Sequence, residues 1–218
     1  MDFDWSVVIT SMPELLKGTR LTLYIAFMGL LGGVVLGFTA GLMRAYGNKL
    51  VSALAFVYIE VIRGTPIVVQ IMFLYFVLPL LAGWRIDPIT ASIAAIMVNS
   101  GAYIAEIVRG AFQSVPKGLQ EAGLAMGVPL WRVLLLVVGP IAFRRSVPAL
   151  GNQFIVSLKD TSLFIVIGVG ELTRQGQEII ATNFRAVEIW SAVALIYLVM
   201  VALMTLCLRT IEKRMRIL

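Results

Sequence analysis

Five stretches of this chain are each long and apolar enough to cross a membrane as a helix. A hydrocarbon core about 30 Å thick takes roughly 20 residues in helical form. The mean hydropathy of +0.94 and the 60% share of hydrophobic residues lie well above those of soluble domains. We therefore predict an all-α integral membrane protein with a single domain over residues 1–218. The predicted spans are 20–43, 51–82, 88–108, 147–169 and 189–208.

Several kinds of chemistry are excluded by residues that the sequence lacks. It has no histidine, so Ser-His-Asp catalysis and histidine metal sites are ruled out. Its single cysteine, Cys207, allows neither an intrachain disulfide nor a cysteine metal cluster. A Gly-rich phosphate loop ending in Lys-Ser or Lys-Thr is also missing. We expect no catalytic residue, metal or cofactor here, and any ATP that drives this protein should bind to another chain.

Basic residues are distributed unevenly between the loops that join the predicted spans. Eleven of the 18 lie in the first loop, the third loop and the C-terminal segment, and only five lie in the alternate segments. Basic loops tend to remain in the cytoplasm. This pattern predicts an outer N-terminus, a cytoplasmic C-terminus and a cytoplasmic third loop. It also explains the net charge of +6 without nucleic acid.

The first span carries glycines at strict four-residue spacing. Such glycines line one helix face and allow a second backbone to approach closely. We therefore predict a packing stripe. Its members are Gly29, Gly33, Gly37 and Gly41.

The second span is interrupted at Arg63-Gly64-Thr65-Pro66. Proline disfavours helical geometry at the preceding residue and removes an amide donor, so a new helix should begin at Pro66 with Thr65 as its cap. A broken membrane helix needs protein or a watery cavity beside it, and its N-terminal end favours a carboxylate. The alternative is a simple kink near the cytoplasmic end, with Arg63 reaching the lipid headgroups.

Polar residues line one face of the third span. Ser92, Asn99, Tyr103 and Glu106 follow one another at spacings of seven, four and three residues, which is typical of a face turned to a bundle interior. Asn99 and Tyr103 are candidates for substrate contact. Glu106 is expected to pair with Arg109 three residues later.

The fourth span contains two adjacent charges, Lys159 and Asp160, well within the apolar region. A charge at mid-bilayer costs about 2.5–3.5 kcal/mol, so such residues usually face a pathway or a partner. Neighbouring residues of a helix do not face each other, so the two should serve different partners, unless they form a structural brace. Asp160, Thr161 and Ser162 are also expected to cap the next helical segment.

The third loop, about residues 110–140, is predicted to form helix, break and helix. Within it lie Glu121-Ala122-Gly123, then Gly127, then Val137-Val-Gly139-Pro140. This resembles the EAA loop of ABC importer permeases, which reads Glu-Ala-Ala, three residues, Gly, nine residues and Ile-x-Leu-Pro. Gly123, Val137 and Gly139 depart from that pattern.

Nearly the whole chain resembles the polar amino-acid ABC permeases. The resemblance is carried by Glu60-Val-Ile-Arg-Gly-Thr-Pro-Ile-Val-Val-Gln70, by residues 99–110 and 157–168, and by residues 171–178 and 184–190. It implies a type I importer permease of five helices in the bacterial inner membrane, which forms the translocation path for glutamine or a basic amino acid such as arginine. The implied partners are two ABC ATPase subunits, a second permease copy or close homologue, an extracytoplasmic binding protein and membrane lipid.

The resemblance also implies that the third loop docks on the ATPase as a coupling helix. The coupling residues would be Lys117, Gln120, Glu121, Ala122, Gly123, Gly127, Trp131 and Arg132. For the substrate, the hypothesis is that amides at the helix after Pro66 bind its carboxylate and Asp160 binds its ammonium group. The candidate pocket comprises Gly64, Thr65, Asn99, Tyr103, Gln153, Ser157, Lys159, Asp160 and Thr161.

Two other classes of membrane protein are alternatives to the importer. An ion-coupled secondary amino-acid carrier would also use broken helices and buried charges, but it would need no cytoplasmic docking loop. A membrane enzyme acting on lipids would want clustered acidic residues near one interface. None of the 12 carboxylates is spaced in that way.

Overall fold

The computed structural model describes residues 3–215, which form ten α-helices. In chain order they are α1 (Trp5–Tyr46), α2 (Lys49–Arg63), α3 (Ile67–Met72), α4 (Leu78–Ala82), α5 (Pro88–Gln113), α6 (Lys117–Ala125), α7 (Leu130–Val133), α8 (Gly139–Asp160), α9 (Leu172–Asn183) and α10 (Ala186–Met215). Single π-helical segments join α3 to α4 and α7 to α8. A 3-10 helix, Thr161–Ile167, continues α8.

Four helical units are long and apolar enough to cross a membrane. They are α1, α5, α10 and the continuous unit Leu130–Ile167 that contains α8. A fifth span is formed if α2 and the unit Ile67–Ala82 count together, although the two are bent by 103°. The all-helical membrane class is confirmed, and the observed units follow the predicted spans in order.

The first helix starts at Trp5, well before the predicted boundary at residue 20. Asp4 caps it by accepting a hydrogen bond from the Ser6 amide at 2.9 Å. The early turns are not apolar throughout, which lowers their hydropathy, but they bury one face. Leu15 is fully buried in a cluster with Leu172 and Ile189, which lie on α9 and α10. Packing against these helices therefore extends α1 beyond its membrane segment.

The glycine stripe of α1 packs directly on α5, as predicted. A Cβ added at Gly37 would lie 2.6 Å from the Cβ of Ile104 and 2.8 Å from the carbonyl oxygen of Gly101. A Cβ at Gly41 would lie 2.7 Å from the carbonyl oxygen of Ala105. Real Cβ atoms do not tolerate such distances. The two backbones can approach this closely only because the residues of the stripe have no side chains.

The broken second span and the end of the fourth span meet in the main apolar core. Ile71 of α3 and Phe164 of the 3-10 helix are fully buried in one cluster with Ile25 of α1 and Ile96 of α5. This core lies directly beside the break before α3 and the polar end of α8. It therefore fixes the positions of the two segments that carry most of the candidate substrate residues.

Candidate functional site

The break between α2 and α3 is closed by local hydrogen bonds. Gly64 ends α2, and the Thr65 hydroxyl donates back to the carbonyl oxygen of Val61 at 2.9 Å. Pro66 stands at the N-cap of α3 and provides no side-chain cap. The prediction that Thr65 caps the new helix is therefore wrong, because its hydroxyl turns back to the last turn of α2.

Gln70 holds the two sides of this break together. Its side-chain Nε2 lies 2.7 Å from the carbonyl oxygen of Ile62, 2.9 Å from that of Thr65 and 3.0 Å from the Thr65 hydroxyl. Its Oε1 accepts a hydrogen bond of 2.9 Å from the Nδ2 of Asn99 on α5. Both amide side chains are buried. The polar groups that the broken helix exposes are thus satisfied from within the protein.

The predicted substrate residue Asn99 is therefore already engaged by a neighbour that sequence reasoning missed. Gln70 stands four residues after Pro66 in an otherwise apolar segment. That position was the available signal, since a lone glutamine one turn beyond a break can reach the carbonyl groups that the break leaves open. The sequence alone could not reveal that Asn99 lies opposite.

Arg63 is exposed, and its guanidinium lies against a ring of α5. Its guanidinium carbon is 5.4 Å from the centroid of the Tyr103 ring, a cation–π distance. The alternative in which Arg63 only reaches the lipid headgroups stays a prediction.

Glu106 forms the predicted ion pair with Arg109, at 2.7 Å. Ser92 is buried and donates to the carbonyl oxygen of Pro88 at 2.8 Å. The polar stripe of α5 thus divides into two candidate ligand contacts, Asn99 and Tyr103, and two residues with structural partners, Ser92 and Glu106.

The end of α8 is polar but does not act as a helix cap. The hydroxyls of Thr161 and Ser162 each donate to a carbonyl oxygen three residues earlier, at 2.7 Å. Asp160 makes no side-chain cap. The predicted capping by Asp160, Thr161 and Ser162 is wrong, because the chain runs on from α8 into a 3-10 helix without a break.

The remaining candidates of α8 differ in their surroundings. Gln153 and Ser157 are buried and hydrogen-bond to each other at 3.3 Å. Lys159 is exposed, whereas Asp160 is partly buried. Within residues 3–215, the ion pairs include neither of these two charges. They face in different directions, as expected of adjacent helical residues.

The third loop forms helix, break and helix, as predicted. α6 ends near Gly127, which has a φ of +77° in the left-handed region that favours glycine. The amide of Val128 then donates to the carbonyl oxygen of Gly123 at 3.2 Å and closes the turn. Gly127 therefore sets the angle between α6 and α7.

Not every predicted coupling residue lies on the outer face of α6. Lys117, Glu121 and Ala122 are exposed and Gln120 is partly exposed. Gly123 departs from this set, since it is buried at the junction with α7.

The junction explains both the burial of Gly123 and its identity. A Cβ at Gly123 would lie 2.8 Å from a methyl carbon of Val133 on α7. Beyond the turn, Trp131 lines an apolar groove beside α1, and the Arg132 guanidinium carbon lies 5.0 Å from the Trp131 ring centroid. Gly123 is therefore a packing residue, and Trp131 and Arg132 belong to a different surface from Glu121.

A further polar centre, which the sequence did not predict, surrounds Glu171 before α9. The carboxylate accepts hydrogen bonds from the amides of Thr173 and Arg174 at 2.9 and 2.8 Å, and from the Tyr197 hydroxyl at 3.0 Å. Burial raises the pKa of the Glu171 carboxyl, although the two amide bonds oppose this shift. This centre ties α9 to α10.

Comparison with known proteins places the chain in a family. Residues 33–217 match the family model described as a binding-protein-dependent transport system inner membrane component. The glutamine transport system permease protein GlnP of Escherichia coli K12 is 57% identical over 219 residues, covering 100% of both chains. The arginine transport system permease protein ArtQ of Bacillus subtilis is 33% identical over 216 residues, covering 99% of each.

Solved structures agree with this placement. A crystal structure described as an amino acid ABC transporter with histidines has a TM-score of 0.91 and 36% identity, and the match covers 98% of this chain and 100% of that one. The inward-facing MetNI methionine ABC transporter has a TM-score of 0.83 at 21% identity, covering 94% and 98%. The second likeness shows the fold alone.

The chain therefore belongs to the binding-protein-dependent inner-membrane permeases of ABC transporters, within the polar amino-acid group that its motifs indicate. It is a multi-pass permease subunit, and ATP binding lies with a separate ATPase partner. A binding protein is the other partner that this class implies. The ion-coupled carrier and the lipid enzyme are thereby excluded.

Proposed function

We propose that this chain forms half of the translocation path of a glutamine importer. The path would run past the break between α2 and α3 and the polar end of α8. The observation that carries this proposal is that a cation and a carboxylate, Arg63 and Asp160, lie on the broken second span and at the end of α8, which pack on one core. The full-length likeness to a glutamine permease favours glutamine over arginine.

We expect a zwitterionic amino acid to bind between these two charges. Its carboxylate would lie toward Arg63 and the first amides after Pro66, and its ammonium group would lie toward Asp160. Tyr103 and Asn99 would form the wall between them. A charged side chain inside a membrane is costly unless a ligand or another protein group binds it. The carboxylate of Asp160 forms no ion pair within residues 3–215, which favours a role in the pathway.

The remaining predicted pocket residues have supporting roles in this proposal. Gly64 and Thr65 shape the break between α2 and α3. Lys159 is exposed and lies on a different side of α8 from Asp160. Gln153 and Ser157 bond to each other and would have to separate to meet a ligand. Thr161 is fully buried with its hydroxyl satisfied, so it contributes to packing.

We further propose that the exposed face of α6 docks on an ATPase subunit. Lys117, Gln120, Glu121 and Ala122 would form the contact, and Gly127 would hold α6 at the angle that the contact requires. A second copy of this chain would supply the other half of the path, with an ATPase beneath each copy and the N-terminus outside. Closure of the ATPase dimer would then rotate the two permease halves as rigid bodies.

Asp160→Asn tests the pocket. Losing a charged hydrogen bond to the ligand should lower kcat/KM for glutamine uptake by roughly 10- to 100-fold, with similar protein levels in the membrane. Lys159→Gln is the matched control and should change uptake much less, because Lys159 is exposed on another side of α8. Uptake kinetics in proteoliposomes measure both. Unchanged kinetics in Asp160→Asn would remove Asp160 from the pocket.

A further inference from the structure

An apolar groove, here called the interface groove, opens beside the coupling loop. It has a volume of about 580 Å³. Much of its lining is exposed, including 60% of Trp131 and 64% of Leu135. Other lining residues are Phe38, Leu42 and Tyr46 of α1 and Phe143 of α8.

The interface groove lies where α1 and α5 end. The ring centroids of Tyr46 and Phe112 are 5.7 Å apart, and those of Phe38 and Phe143 are 6.4 Å apart. Its floor therefore follows the last turns of α1. In the orientation proposed above this is the cytoplasmic surface of the membrane, where tryptophan and tyrosine are enriched.

Two basic side chains accompany the apolar lining. Arg132 lies over the Trp131 ring at 5.0 Å. Arg144 directly follows Phe143 and comes one turn after the lining residue Pro140. Both arginines are exposed, and no carboxylate in residues 3–215 lies within 4.0 Å of either one.

We propose that the interface groove binds an anionic phospholipid of the cytoplasmic leaflet. An acyl chain would pack on Leu135 and Phe143, and the phosphate group would lie toward Arg132 and Arg144. Basic groups near that surface attract anionic lipids, and basic pockets between membrane helices on this side hold their headgroups. The proposal rests on the orientation of the chain and is independent of which amino acid is carried.

A second cavity of the protein provides an internal comparison. It also measures about 580 Å³ and lies between α1, α8 and α10. Only apolar side chains line it, among them Leu23, Phe27 and Met204. It has the same room for an acyl chain, but the cation that follows its lining residue Leu158, Lys159, lies well within the fourth span and not at the cytoplasmic surface. It should therefore show less preference for anionic lipid.

Binding at the interface groove would act on the coupling loop. Trp131 and Val133 both belong to the four-residue helix α7, and Val133 is the residue against which Gly123 of α6 packs. A headgroup held at Arg132 would therefore stabilise α7 and, through it, the position of α6. This gives Trp131 and Arg132 a lipid contact in place of the ATPase contact expected from the sequence.

The test uses Trp131 as the reporter in the full chain. Trp5, Trp84 and Trp190 are replaced by phenylalanine, and the chain is placed in phosphatidylcholine vesicles that contain either brominated phosphatidylglycerol or brominated phosphatidylcholine. We expect brominated phosphatidylglycerol to quench Trp131 more strongly than brominated phosphatidylcholine. Each arginine should raise the association constant of phosphatidylglycerol relative to phosphatidylcholine by about fivefold. Arg132→Gln with Arg144→Gln should reduce the ratio to about one.

Arg209→Gln with Lys213→Gln is the matched control, because it removes the same charge from the exposed end of α10. It should keep the preference. Loss of the preference in this control as well would mean general surface attraction and would overturn the proposal. Equal quenching by both lipids in the unsubstituted groove would also overturn it.

A second measurement avoids the tryptophan replacements and uses the assembled transporter. Phosphatidylglycerol that stays with the purified assembly is counted by mass spectrometry. The double arginine variant should retain less than the wild type and the control. If retention is unchanged but the ATPase no longer binds, the two arginines contact the ATPase. If neither changes and Trp131 resists all brominated lipid, a second permease copy covers the groove. Either result contradicts the lipid site.

Discussion

At the scale of single residues, Gln70 explains how a broken helix is tolerated inside an apolar bundle. One side-chain amide serves three oxygen atoms across the break and at the same time accepts from Asn99 on another helix. A buried polar group that loses its partner costs about 1–3 kcal/mol, so these bonds matter more together than singly. Gln70 is therefore a positioning residue for Asn99 and for the break between α2 and α3.

Gln70→Leu should lower the free energy of unfolding by about 1–3 kcal/mol, because it leaves Asn99 and the open carbonyl groups without a partner. Thermal unfolding of the purified chain in detergent measures this. Gln177→Leu is the matched control, since Gln177 is exposed on α9. Adding Asn99→Leu to Gln70→Leu should recover part of the loss. If the double variant is as unstable as the sum of the singles, the two side chains do not act as a pair.

At the scale of elements, the coupling loop depends on one glycine. Gly127 takes a φ of +77°, which side chains with a Cβ adopt only with strain, while nothing lies within 4 Å of a Cβ placed there. A substitution therefore changes the backbone angle without any clash. This separates the orientation of α6 from its contacts.

Gly127→Ala should leave membrane insertion intact but reduce glutamine taken up per ATP hydrolysed, and Gly127→Pro should do so more strongly because proline fixes φ near −65°. Strain of about 1–2 kcal/mol predicts a severalfold fall for alanine. Gly118→Ala is the control, because a Cβ at Gly118 also meets nothing and the φ there is not positive. Equal coupling ratios in the Gly127 and Gly118 variants would show that the loop angle does not matter.

Patterns within one element could be predicted from the sequence, and contacts between elements could not. The glycine stripe, the Glu106 pair with Arg109 and the turn at Gly127 all follow from spacing along one segment. Gln70 meets Asn99 29 residues away, and Glu171 meets Tyr197 26 residues away. Nothing in local spacing indicates which face of one helix meets which face of another.

The same reasoning explains the errors at helix ends. Thr65 and Thr161 are good capping residues by type, but each had a carbonyl oxygen of its own preceding turn within reach. The predicted first span begins at residue 20 because hydropathy weighs a segment by itself, whereas α1 begins at Trp5. Its first turns are stabilised by α9 and α10, which lie far away in sequence.

At the scale of the whole molecule, the proposed function places the region that lines the path and the region that contacts the ATPase on separate elements. The break, α5 and the end of α8 carry the polar interior, whereas α6 presents an exposed face beyond the apolar spans. Chemistry stays in the ATPase partner, so the permease needs only to change shape. Its tight contact between α1 and α5 suits movement as a rigid body.

The most direct test of this account is uptake of radiolabelled glutamine by proteoliposomes that contain the chain, its ATPase and its binding protein. We predict accumulation that requires ATP on the side of the ATPase and that persists when ion gradients are abolished. Unlabelled glutamine should inhibit this uptake more strongly than unlabelled arginine does. Accumulation driven by an ion gradient without ATP, or transport of arginine in preference to glutamine, would contradict the account.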